Sequence, residues 1–80
     1  MTRRYIPLKS LRAFEAAARH LSFTHAAIEL NVTHSAVSQL VKLLVDQLRC
    51  PLFLRIPRGL MLTPEGEHLL PVLNESFDRI

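Results

Sequence analysis

The sequence predicts a mostly α-helical single domain in which three helices precede a small two-stranded hairpin and a fourth helix comes after it. Three observations carry that expectation. Apolar residues recur at helical spacing in three successive segments before residue 49. Two short apolar runs then flank a turn rich in proline and glycine, Ile56-Pro57-Arg58-Gly59. Finally, 80 residues that are 49% hydrophobic and 21% charged are too apolar to stay disordered and suffice for one core. A chain of this size buries roughly 63% of its unfolded surface on folding, so the core is thin and the pattern must be good.

Leu8, Leu11, Phe14, Ala17, Ala18 and Leu21 share a helical face, which predicts a first helix over 8–20 opened by Pro7. Ser22 is a good N-cap for a second helix over 23–30, whose short apolar face is Phe23, Ala26, Ala27 and Leu30. Asn31-Val32-Thr33 breaks it. Asn tolerates the left-handed conformation at a helix end, and Thr33 can cap the next helix. Val37, Leu40, Val41, Leu44 and Leu48 form one stripe, predicting a third helix over 35–48 that ends before Cys50-Pro51. Leu52–Arg55 and Leu60–Thr63 have strand length and pair as a hairpin. Thr63-Pro64 is a cap followed by a first-turn proline. Leu69, Leu73, Phe77 and Ile80 share a face, predicting a fourth helix over 64–80 that Pro71 should bend or weaken.

Charge divides the chain. Residues 1–60 hold nine Lys/Arg against three Asp/Glu, whereas residues 61–80 hold one Arg against four Asp/Glu. A basic body with an acidic end points to a polyanionic partner for the body alone. Other functions lack support. A single cysteine excludes an internal disulfide framework and a cysteine-rich metal site. His20, His25, His34 and His68 fall on different elements without metal-ligand spacing. No serine sits in a nucleophile-elbow motif and no paired carboxylates share a face, so neither catalysis nor a cofactor is expected. No apolar run reaches the ~18 residues of a membrane span, and the start lacks a signal-peptide core; the expectation is a cytoplasmic protein without a membrane partner.

Two short helices joined by a three-residue turn, the second polar on its outer face, describe a helix-turn-helix. Ala27 is small enough to let the third helix cross closely, Asn31 makes the turn, and Val37 fills the space between the helices. At about 100° per residue from Val37, the apolar stripe lies within roughly 60° of one direction. Ser35, Ser38, Gln39, Lys42 and Asp46 lie between roughly 100° and 200°. Hydroxyls, an amide and an ammonium suit base edges and phosphates, whereas a merely solvated face more often carries Glu–Lys pairs. The hairpin completes a winged helix-turn-helix. Arg58 at its tip suits a phosphate or a narrow minor groove. Arg55 sits in an apolar run and reads equally as a ligand contact or as an internal ion-pairing or capping residue.

The stretch SLRAFEAAARHLSFTHAAIELNVTHSAVSQ, with LF-x-R, RG-x-x-LT and EG after it, resembles the N-terminal DNA-binding domain of bacterial LysR-type transcriptional regulators over essentially the whole chain. The resemblance implies a winged helix-turn-helix over 1–63 and the start of a linker, or dimerisation, helix over 64–80. It implies double-stranded DNA as partner, contacted by Thr33, His34, Ser35, Ser38, Gln39 and Lys42 on the third helix and by Arg58 in the wing. It further implies a homodimer through 64–80, tetramers in full-length members, and a C-terminal effector-binding domain for which these 80 residues have no counterpart.

Some positions depart from the family pattern. Val45 replaces a Glu that could have paired with Arg55, and Arg49 replaces the Gly or Asn expected just past the third helix. Leu40 and Leu43 replace polar residues, while Leu54, Ile56 and Pro57 make the wing more apolar. A rival reading takes Leu40, Leu43, Val45 and Leu54 as one apolar patch of an interaction module that does not read DNA.

Overall fold

The computed structural model describes residues 6–78. Helices α1 (Leu8–His20), α2 (Phe23–Leu30) and α3 (His34–Leu48) are succeeded by strands β1 (Phe53–Ile56) and β2 (Gly59–Leu62) and by helix α4 (Pro64–Asp78). The expected order holds. Helix α3 begins one residue earlier than the apolar stripe suggests, at His34, because the Thr33 hydroxyl accepts the Ala36 amide and fixes the first turn there. Both strands shift by one residue from their expected spans. Phe53 pairs with Leu62 and Ile56 with Gly59, which leaves Leu52 buried beneath the hairpin rather than in it. Gly59 has φ +139°, a conformation that side-chain-bearing residues rarely adopt, so the tight turn needs glycine there.

Alanine makes close packing possible. Ala13, Ala16 and Ala17 of α1 meet Ala26 and Ala27 of α2 and Val37 and Val41 of α3, and all seven are buried. The three helices can approach closely because no long side chain holds them apart. A second cluster, Phe14, Ala18, Leu44, Leu52 and Leu73, joins the helical body to the wing and α4. Val45 and Phe53 pack against both clusters.

The first three helices each stop on a left-handed residue that is not glycine: Leu21 (φ 50°), Asn31 (φ 59°) and Arg49 (φ 59°). Asn31 and Arg49 are where the sequence places helix ends; Leu21 has no composition signal. After α1 and α2 the chain closes in the same way, with Ser22 N donating to Ala17 O and Val32 N to Ala27 O.

Helix α4 runs unbroken through Pro71. Its expected stripe is used differently from the expectation. Leu73 is buried and Leu69 is partly buried, both against the chain's own second cluster, so they are not left bare for a partner. Val72 is the large apolar residue that α4 exposes, at 58%. The Phe77 side chain and Ile80 lie outside what the structure describes. Thr63 is the joint: its hydroxyl donates to Pro51 O (2.7 Å) and accepts from Gly66 N (3.1 Å), while its amide donates to Leu52 O (3.1 Å). Gly66 permits this approach, since a Cβ there would lie 2.5 Å from Leu52 O.

Candidate nucleic-acid interface

The predicted residues fall on two elements, α3 and the hairpin tip. Thr33 caps α3 from an exposed position. His34 and Ser35 come next, both exposed, on the first turn. His34 rests against the Phe23 ring, centroids 5.9 Å apart. Gln39 is exposed one turn on, while Ser38 beside it is half-buried. Lys42 is exposed, and its ammonium lies 3.3 Å from Asp46 on the next turn, the ordinary i,i+4 pairing of a solvent-facing helix. Arg58 stands at the exposed tip of the hairpin. Among the described residues no hydrogen bond or ion pair joins Arg58 to the α3 residues.

Three features beyond the predicted set emerge. Arg55 is exposed, with its guanidinium carbon 5.8 Å from the Phe23 ring centroid. Phe23 sits edge-on against Phe53 (5.4 Å, 84°), and Phe53 packs on the fully buried Phe14 (5.4 Å, 52°). Only the family's LF-x-R pattern hints at this arrangement.

The second is an ion cluster at the opposite end of α2. Arg19 forms two hydrogen bonds with Glu15 (2.7 and 2.9 Å) and two with Glu29 (2.9 and 2.6 Å), and His20 Nε2 lies 2.7 Å from Glu29. The Arg19 hydrogen bonds, then that of His20, hold the Glu29 carboxyl at about 2, well below its ordinary value, and the two carboxylates push the Arg19 guanidinium up. The spacing of Glu15 and Arg19 is a readable helical pair, but Glu29 is brought in only by the crossing of α1 and α2.

The third is a shallow groove of about 460 Å³ lined by Leu30, Val32, Leu40 and Leu43 with Lys9 and Arg12 among its walls. Of the suggested four-residue apolar patch, Leu40 and Leu43 line it, whereas Val45 and Leu54 do not. Leu40 is partly buried against the helical core and Val45 against both core clusters, leaving Leu43 and Leu54 exposed on separate elements. Among the described residues no cluster of three or more His, Cys, Asp or Glu is placed to hold a metal, and no helix is long and apolar enough to cross a membrane.

A three-helix body with a polar recognition helix and a two-stranded wing defines a helix-turn-helix regulator, and the comparisons name the kind. Residues 8–67 match the model of the bacterial regulatory helix-turn-helix proteins of the lysR family, and the chain belongs to that family. It is 79% identical over its whole length to the transcriptional activator AmpR of Citrobacter freundii, and 68% identical to AmpR of Pseudomonas aeruginosa. The chain spans 28% of the Citrobacter relative's length. Among solved structures, Corynebacterium glutamicum OxyR superimposes with a TM-score of 0.90 at 31% identity, covering 98% of this chain and 25% of that one. The BenM DNA-binding domain in complex with catB site 1 DNA superimposes at 0.86 with 29% identity, covering 91% and 82%.

Proposed function

We propose that this chain is the DNA-reading part of a bacterial transcriptional regulator, binding double-stranded DNA sequence-specifically with α3 in the major groove and the wing on minor groove or backbone. The supporting observation is the outer face of α3, where short hydroxyls, an amide and an ammonium project from a helix whose other side is locked into the core. The likeness to a domain solved with DNA supports placing that face in a groove.

Each residue takes the role its chemistry allows. Gln39 reads a base edge, with adenine its best bidentate match, and Ser35 and Ser38 donate or accept nearby. His34 reaches the same groove from the start of the helix. Thr33 sets the helix start and leaves its hydroxyl hydrogen for a phosphate oxygen. Lys42 exchanges Asp46 for a phosphate, and Arg58 grips the backbone or the minor groove from the wing tip.

In this reading, residues 1–63 form the DNA-binding unit and residues 64–80 begin a helix that pairs with a second copy. The dimer places two recognition helices on a two-fold-symmetric site, and the full-length protein forms a tetramer in the bacterial cytoplasm. Similarity to activators of the AmpR type over the whole chain, and to a β-lactamase transcriptional activator of Serratia marcescens, supports activation of a β-lactamase gene as the output.

A binding selection from random duplexes tests the reading. The 80-residue chain should enrich a motif with inverted half-sites, bound with an affinity that falls steeply with salt as Lys and Arg displace counterions. Association without an enriched motif, or insensitive to salt, would overturn it.

A further inference from the structure

We propose that Arg55 is a second phosphate-binding arginine of the interface, seated in a cleft between the start of α2, the start of α3 and the wing. This proposal rests on the DNA-binding reading above and adds a contact that reading does not contain.

The cleft has a volume of about 210 Å³, and its walls include Ser22, Phe23, Thr24, His34, Arg55 and Gly59. Among the described residues no carboxylate lines it. Two hydroxyls, an imidazole and a guanidinium face one small space at the N-terminal end of α2. The first amides of that helix have no helical acceptor and carry the positive end of its dipole. The Ser22 oxygen accepts from His25 N and keeps its own hydrogen to donate. A cleft rich in donors and free of carboxylates selects an anion with several acceptor oxygens, which on duplex DNA is a backbone phosphate.

Arg55 is positioned for it without being consumed. Its guanidinium lies over Phe23, and Phe23 is held by Phe53, which packs on Phe14 in the core. A ring face orients the guanidinium plane and leaves its N–H donors unspent, unlike a carboxylate partner. Among the described residues Arg55 forms no ion pair. Arg55 also differs in reach from Arg58. It lies opposite Leu60 in the hairpin, one residue inside the Ile56–Gly59 pair, whereas Arg58 is at the tip.

The test measures binding of the chain to its selected duplex and to an unrelated duplex across a range of salt concentrations. Arg55→Met should lower the slope of log affinity against log salt by about 0.9 and weaken both duplexes by similar factors, with the preferred motif kept. Arg55→Met folded by circular dichroism with the parental slope and affinity overturns the proposal alone. A parent chain that binds no duplex overturns the DNA-binding reading with it.

Discussion

The two ends of α2 are built from the same pair of residue types and use them in opposite ways. At the C-terminal end, Arg19 and His20 converge on one carboxylate, Glu29, and Arg19 takes Glu15 as well. At the N-terminal end, Arg55 and His34 converge on one ring, Phe23. Carboxylates consume hydrogen-bonding capacity, so the first end acts as a clamp between α1 and α2. An aromatic ring positions its neighbours but leaves their donors unsatisfied, so the second end stays open to an anion. Whether a surface arginine holds the fold or holds a ligand is therefore decided by what it rests on, and its exposure alone does not reveal it.

The comparison is broken most sharply on the open side. Gln39→Ala should cost about 1–3 kcal/mol of affinity for the preferred site and relax the motif at one or two positions, with the salt slope kept. A selection repeated with the variant checks this, and an unchanged motif would remove α3 from direct reading. A smaller effect is expected one turn along. Lys42→Ala should keep the motif and lower the salt slope by about one. Asp46→Asn should strengthen binding to every duplex by a few fold, since it frees Lys42 and removes a negative charge facing phosphate. Titrations at several salt concentrations separate the two variants.

The smallest effect belongs to the closed side. Glu29→Gln should leave DNA binding unchanged and reduce stability by at most about 1 kcal/mol, because the cluster is solvent-exposed and screened. Its pH signature is more telling than its size. The Glu29 carboxyl is lowered from 4.5 to about 2, so its contribution is fully present above 4.5 and is lost as pH falls toward 2. Denaturant midpoints measured across that window should fall less steeply for the glutamine variant. A parallel acid profile would show that the clamp contributes nothing to folding.

The helices were legible in the sequence because one period governs them: the alanine face of α1, the Val37–Leu44 stripe of α3 and the caps Ser22, Thr33 and Thr63 all lie where spacing and turn chemistry put them. The strands slipped by one residue because Leu52 is as apolar as its neighbours, and only packing under the hairpin decides that it stays out of the ladder. The stripe of α4 was visible, but its partner was not, since period alone cannot tell an intramolecular core from an intermolecular seam. The polar outer face of α3 was legible for the same reason as α3 itself. The Arg55–Phe23 contact and the Glu29 cluster were not, because each depends on residues distant in sequence that meet only when the elements cross.

One joint has a mechanical consequence. Between the last residue of β2, Leu62, and the first of α4, Pro64, stands a single residue, and the Thr63 amide and hydroxyl are bonded to Leu52, Pro51 and Gly66. The proline after it stiffens the exit. A connection this short and this heavily fastened cannot act as a hinge. Twisting force applied along α4 from its far end is delivered to the hairpin undiminished, as a handle turns a blade fixed to it. The direction of the hairpin is thereby tied to the orientation of α4, and a loosened joint such as Thr63→Val would let the two turn independently.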